Sequence, residues 1–463
     1  MAVVLYVMDE HNKLTTLSVR YTIKINSTRR WSIFPRVSLR RSSSYQEVFN
    51  WLSHFGVQTI AANCERMTGR NHRLFSLPKS YSQDQGQLNV LFVSLSQCAS
   101  AISFSFVDTI LPFYVFKVSP YSQRETLIWI GAILGAVGLS LMITSPIWGS
   151  LTHRFNPKRL FQRGQVANGI VFLLMGFTVN LHFLFILKLL QGVFGGVSTA
   201  GLILVTSSSS KEKISSNIGI FQACLTIGQL IGPPLGAMAA ASFGYKTSFV
   251  GGAAILFAAA LLCEFKVSEV PKLPRYVKST TKKDIGKLVL AGWLVCVMVQ
   301  IQLIFLPSIL PKVLESFHMY GTDALRSAGI VVMLYTGTAA IGTFTLTRLT
   351  KKIEIFQLIT ILLVLSICFQ LLLALTKGII GFTIVRMIQM GFAAAVIPLV
   401  FSIFAKQQKG SVIGIMNSAR YGGNAAGPLL ATTTLAASNL NTLFFIISGL
   451  TFLTLIIFRK LYF

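Results

Sequence analysis

The sequence predicts an all-α integral membrane protein of about 12 transmembrane helices in two related six-helix bundles, and three observations carry that prediction. Hydrophobic residues make up 53% of the chain and charged residues only 12%, where a soluble domain carries about 25% charged residues. From about residue 88 the apolar residues fall into blocks of roughly 20, the length that crosses a ~30 Å hydrocarbon core. These blocks show neither the alternation of strands nor the polar stripe of a surface helix. Finally, the first six blocks and the last six share short sequence matches at a nearly constant offset.

Residues 1–87 stand apart from the rest. They hold 12 of the 41 basic residues and five of the 14 acids, and residues 11–46 are rich in Arg and Ser without a single acid. No apolar run there is long enough to span. The composition fits a disordered cytoplasmic extension, with Met67 as a later start that leaves a short polar leader, and it fits an organellar transit peptide as well. Nothing in this segment carries chemistry.

The twelve blocks centre near Ala99, Val137, Val171, Gly195, Ile227, Leu256, Val299, Tyr335, Val364, Ala395, Tyr421 and Ile447. Connections that follow even-numbered blocks carry 18 Lys and Arg and those that follow odd-numbered blocks carry six, so the positive-inside rule puts the even connections and both termini in the cytoplasm. The longest connection, residues 266–287, is basic and contains Pro271 and Pro274; it reads as a linker between bundles over 88–265 and 288–463. The net charge of +27 would suggest nucleic acid in a soluble protein. Here the bases flank apolar blocks, which points to anionic lipid head groups and excludes a nucleic-acid partner.

The halves repeat. Lys188-Leu-Leu-Gln191 parallels Arg386-Met-Ile-Gln389 at an offset of 198, Ile218 through Pro233 parallels Ile413 through Pro428 at 195, and Ile110-Leu-Pro112 parallels Ile309-Leu-Pro311 at 199. Because each half has an even number of spans, the repeats share one orientation and are related by an axis along the membrane normal.

Three local patterns are distinctive. Gly149-Ser-Leu-Thr-His153-Arg154-Phe-Asn156-Pro157-Lys158-Arg159 follows the second span, Lys188-Leu-Leu-Gln191-Gly192 lies in the fourth, and Gly228-Gln229-Leu-Ile-Gly232-Pro233-Pro234-Leu-Gly236 lies in the fifth, with Gly427-Pro428 as its echo in the eleventh. In these motifs the chain resembles the major facilitator superfamily from about residue 88 to its end, and the fifth-span motif resembles the 12-helix drug:proton antiporter (multidrug efflux) branch. The resemblance implies two bundles rocking about a midplane substrate site, with efflux of small organic compounds in exchange for protons, as a monomer, in the plasma (inner) membrane. It implies a latch role for the loop containing Gly149, Arg154, Lys158 and Arg159, although His153 stands where the family has Asp and Asn156 or Pro157 where it has Gly. It also implies a proton-transfer role for the base in the fourth span, here Lys188 rather than Arg. Glycines four apart permit close helix contact, and Pro233 bends the helix.

Ionisable groups deep in a span are functional candidates because burying charge in lipid is costly. Asp108, four residues before Pro112, suits a proton carrier, and it is equally read as a solvated or capping carboxylate. Arg420 in the eleventh span, whose counterpart is Leu225, is expected to pair with Asp108 or to bind an anionic substrate. Lys188, Arg386, Gln191, Gln222 and Asn417 complete the expected pathway, with Gln300, Gln302, Asn424 and Tyr335 as neutral polar contacts.

Rival classes leave weaker traces. An importer or exchanger of an anionic metabolite fits Arg420. A membrane enzyme needs His, Asp or Glu clusters near a face, and the acids beyond residue 87 are isolated. A transport-inactive sensor fits the eroded loop motif. No Walker loop is present, no cysteine pair or histidine spacing suits a metal, and no cofactor is expected.

Overall fold

The structure, a computed structural model, describes residues 83–151, 155–210, 213–269, 286–405 and 410–462, together with the backbone of 2–8, 14–25 and 31–39. The chain divides into two units, Met1–Ser80 and Tyr81–Phe463.

In the first unit β1 (Ala2–Met8), β2 (Leu14–Ile25) and β3 (Trp31–Leu39) form an antiparallel sheet in the order β1-β2-β3. Met8 pairs with Leu14 at one end of β2 and Ile25 with Trp31 at the other. Composition suggests disorder here, yet Leu17, Val19, Tyr21, Ile23 and Ile25 alternate with polar residues, the period of a half-buried strand. Local pattern opposes the Arg- and Ser-rich average. Met67 lies outside the described residues.

Every regular element among the described residues of the second unit is a helix: α1 (Gln83–Val118), α2 (Gln123–Leu151), α3 (Pro157–Gly176), α4 (Leu181–Val193), α5 (Val197–Ser208), α6 (Ile214–Lys266), α7 (Gly286–Ser316), α8 (Gly321–Leu346), α9 (Ile355–Leu372), α10 (Ile379–Ala405), α11 (Gly410–Ala437) and α12 (Leu440–Tyr462). Lipid offers no partner to a backbone amide, so only elements that satisfy their own hydrogen bonds cross it. Among the described residues nine helices are long and apolar enough to span. One of them, Ser216–Lys266, has 51 residues and breaks at Gly244, whose φ of 81° suits glycine and turns the chain back.

Helix ends follow local chemistry. Asn156 caps α3, its side chain accepting from the Lys158 amide at 3.0 Å with Pro157 in the first turn; Asn180 caps α4 through the amides of His182 and Phe183. The Asn156-Pro157 departure from the family's loop motif is therefore a helix start. The fourth span, expected to centre on Gly195, is interrupted there between α4 and α5. The break is tolerated because α2 takes up its carbonyls: the Trp148 indole donates to Val193 O at 2.7 Å and the Thr144 hydroxyl to Gly192 O at 3.2 Å. The indole of Trp148 also fills the space beside Gly196 that a side chain would occupy.

Helices α1–α6 enclose one pair of apolar cores, built around Phe172, Phe249 and Leu256 and around Phe161, Leu204 and Phe221. Helices α7–α12 enclose a second pair, around Val299, Ile359 and Val396 and around Phe305, Leu310 and Phe444. The sequence repeat is repeated in packing. Gly228 and Gly232 of α6 lie against Cys98, Ile102 and Phe106 of α1, and Gly423 and Gly427 of α11 lie against Val297, Ile301 and Phe305 of α7. Both seats are close backbone approaches that small residues permit.

The halves meet through α2 with α11 and α6 with α8. Gly131, Gly135 and Gly138 stack along Thr432, Leu429 and Ala425, while Gly329 sits on Pro233, Pro234 and Ala237. Phe113 of α1 packs into the core of the second half, Leu325 of α8 is buried in that of the first, and Lys312 lies 5.9 Å over the Phe116 ring. These contacts lie toward the end carrying the odd-numbered connections. Toward the opposite end, Ile143 and Ile147 of α2, Ile220 of α6, and Ile341 and Phe344 of α8 are exposed.

Candidate functional site

Three basic residues and one acid expected in the pathway occupy different settings, each set by its helix. Lys188 of α4 is fully buried and its ammonium donates to Asp108 Oδ1 of α1 at 2.6 Å; the Asp108 side chain is 47% exposed. Asp108 lies five residues before Phe113, one of the side chains that close the halves against each other, so the pair sits just beneath that closure. Leu187 and Leu184 on the same helix are buried in the apolar core, which holds the lysine stem while its head reaches the acid. Charge on Lys188 is thus offset by a carboxylate that is itself open on one side.

This pairing corrects one expectation. Asp108 takes Lys188 rather than Arg420, because the lysine reaches it from within the same half.

Arg386 occupies the repeat position of Lys188 but has no carboxylate among the described residues. The reason lies in α7, where the counterpart of Asp108 at the 199 offset is Pro307. The fully buried guanidinium instead donates to Gln389 Oε1 at 2.6 Å and to Gln302 O at 2.8 Å, and lies 4.7 Å from the Phe305 ring centroid and 5.2 Å from that of Tyr335. Behind it, Gln302 Oε1 accepts from Ser366 at 2.5 Å and from Gln389 at 2.8 Å, and the Gln302 amide donates to Thr451 at 2.7 Å. Four helices are tied together through Gln302. Neither the pairing nor this network is readable from one-dimensional spacing; the only signal was the unusual density of Gln in apolar spans.

Gln302 points into its own half, toward α9, α10 and α12, and successive residues on a helix are rotated by about 100°, so Gln300 points almost the opposite way, where it is buried beside Gly423 of α11. There its amide donates to Asn424 Oδ1 of α11 at 2.7 Å. Arg420 stands one turn before Asn424 on the same face, exposed, with its charge in reach of Cys296, itself one turn before Gln300. Arg420 has no ion pair or hydrogen bond among the described residues.

The remaining candidates divide. Gln191 is buried, its Oε1 without a partner among the described residues, and Gln222 is exposed on α6. The backbone of Asn417 lies on α11, its side chain outside the described residues, as is Arg154; Gly149 lies in the last turns of α2. Lys158 pairs with Glu264 at 3.3 Å and Arg159 with Glu269 at 3.0 Å, both at or just beyond the end of α6. These bonds tie α3 to its own half. Gly228, Gly232 and Gly236 face α1, whereas Pro233 faces α8 and Pro428 faces Gly131 of α2, so one motif serves packing within a half and contact between halves. Among the described residues no group of His, Cys, Asp and Glu is arranged to hold a metal.

Comparisons with known proteins agree with this geometry. Residues 93–428 match the family model described as Major Facilitator Superfamily. The chain is 26% identical over 367 residues to the multidrug resistance protein MdtG of Yersinia enterocolitica, covering 76% of this chain and 88% of that one. It is 27% identical over 234 residues to the staphyloferrin B transporter of Staphylococcus aureus, covering 50% and 54%. In fold it is similar to the nucleoside transporter NupG (TM-score 0.64, 15% identity, 81% of this chain and 98% of that one). It is likewise similar to the human organic anion transporter MFSD10 (TM-score 0.60, 16% identity, 81% and 99%). With two packed, sequence-related helical halves and a family match over most of its length, the chain belongs to the major facilitator superfamily and is a multi-pass membrane transporter, not an enzyme.

Proposed function

We propose that this transporter exports small organic compounds in exchange for protons, and that Asp108 carries the proton. The single observation behind this reading is the ion pair between Asp108 and Lys188. A carboxylate that is half exposed, beneath the closed end of the cleft, can exchange a proton with whichever side the cleft opens to. Its partner is buried and cannot follow it into water. With Asp108 ionised the pair is neutral; protonation removes the carboxylate charge and leaves the Lys188 ammonium uncompensated in an apolar wall. Restoring neutrality requires loss of the proton or a change in the packing around Lys188. That requirement couples protonation to conformation, as an exchanger needs.

The relatives called multidrug resistance proteins support export of organic compounds. The basic excess of the even-numbered connections supports cytoplasmic termini in the plasma (inner) membrane, and we take the carrier as a monomer with lipid, protons and a small-molecule substrate as its partners.

The test is proton-gradient-driven movement of a fluorescent drug into everted vesicles. Asp108→Asn, expressed at the parental level, is expected to reduce gradient-dependent transport at least tenfold while leaving exchange of substrate down its own gradient measurable. Unaltered gradient-driven transport in that variant removes Asp108 from the coupling role.

A further inference from the structure

The charged groups that lie within the spans are unbalanced. Lys188, Arg386 and Arg420 lie well inside their helices, against Asp108 alone among the described residues, and Asp108 is already engaged by Lys188. Arg386 is enclosed by its own half, its charge delocalised over Gln302, Gln389 and two aromatic faces. Arg420 is different. It is exposed on α11, one turn from the Gln300–Asn424 hydrogen bond and from the place where Asn424 and Ala425 meet Gly138 of the other half, and it has no acid beside it among the described residues. The first half offers Leu225 at the same repeat position, so the charge is not a requirement of the fold. A guanidinium held in a low-dielectric wall without a counter-ion creates a positive potential and presents a planar fork of donors suited to a carboxylate, phosphate or sulfonate.

We propose that Arg420 is the anchor for an anionic substrate: the transported compounds carry an oxyanion group that binds the Arg420 fork, with the Gln300–Asn424 pair alongside to receive neutral polar atoms. This inference rests on the transport reading above and names the substrate class of the same cleft. A lipophilic cation would meet repulsion from Arg420, and Asp108, its natural partner, would have to be taken from Lys188. Binding of the anion supplies the missing counter-charge, so substrate and proton occupy separate groups: the anion on Arg420 and the proton on Asp108.

The experiment uses the full chain purified in maltoside micelles and three probes that share one fluorophore: dansylglycine (anionic), dansylamide (neutral) and dansylcholine (cationic). Binding is read as energy transfer from tryptophan, of which Trp293 lies close by, its indole donating to Ser418 of α11. Dansylglycine is expected to bind most tightly. Arg420→Gln is expected to weaken it at least tenfold and leave the other two probes unchanged, while Arg420→Lys, which keeps the charge and loses the fork, retains part of the affinity. The unfolding temperature of both variants should stay near that of the parent. Tighter binding of dansylcholine, no binding of dansylglycine at millimolar concentration, or unchanged dansylglycine affinity in Arg420→Gln each overturns the proposal. So does an equal loss of all three probes. The same proteins in liposomes separate the two readings. Dansylglycine that binds through Arg420 but does not move under a proton gradient overturns the coupling and upholds the anion site. Gradient-driven movement indifferent to Arg420→Gln does the reverse.

Discussion

Lys188 and Arg386 are the same residue position in two copies of one half, yet they solve the burial of a cation in opposite ways. Lys188 has a carboxylate; Arg386 has amides, a backbone carbonyl and two rings. Removing Arg386 therefore leaves a cavity and strands Gln389 Oε1 in the interior, a loss of about 2–4 kcal/mol. Arg386→Ala is expected to lower the unfolding temperature by several degrees in detergent, whereas Arg420→Ala, with no partner among the described residues, should stay within about 0.5 kcal/mol of the parent. Thermal unfolding followed by tryptophan fluorescence compares the two directly. Equal effects would mean that Arg420 has a structural partner. The candidates themselves were legible in the sequence because charge in an apolar block is rare. Their partners were not, since Asp108 and Lys188 are 80 residues apart and meet only when α1 and α4 pack.

Gly232 and Gly427 are repeat equivalents in the fifth-span motif, but a methyl group at Gly232 would come 2.7 Å from the backbone oxygen of Ile102, while one at Gly427 would rest 3.5 Å from Ile301. Gly232→Ala should thus force α6 away from α1 and cost about 1–3 kcal/mol, and Gly427→Ala should be nearly neutral. Denaturation of the two variants checks this asymmetry, which the symmetric sequence pattern conceals. The broken fourth span makes a second case. Trp148→Phe keeps the ring against Gly196 but removes the donor to Val193 O, an expected cost of about 1 kcal/mol. Hydrogen exchange at the amides of α5 should rise in that variant if the indole holds the break together. Periodicity and length locate spans well; they do not reveal that glycines at 195 and 196 interrupt one, because an apolar run reads alike whether its backbone is continuous or not.

At the scale of the whole molecule the two halves touch at one end. The α2–α11 stack is narrow enough that cysteines at Gly135 and Leu429 would face each other across it. In a background without native cysteines, Gly135→Cys with Leu429→Cys should cross-link on mild oxidation, hold that end shut and stop transport. Reduction should restore it, and transport that continues in the cross-linked protein would show that this end does not move. Gly329 against Pro233 and Pro234 is the matching contact on the other side of the cleft: the glycines of the motif fix α6 to α1, and its two prolines lie on the face that meets α8. Within β1–β3 composition argues for disorder and the alternation of Leu17, Val19, Tyr21, Ile23 and Ile25 for a strand, and β1 and β3 pair with β2 on either side.

Membrane residence, the spans and the duplication follow from the sequence alone, because lipid solvation imposes length and hydropathy on each segment independently of its neighbours, and the repeat is written in one dimension. Which charge meets which, where a span breaks and which end of the cleft is closed came only with the tertiary structure. Those properties depend on side chains brought together from helices far apart in the chain, and no local pattern encodes the rotation of one helix about its axis relative to another.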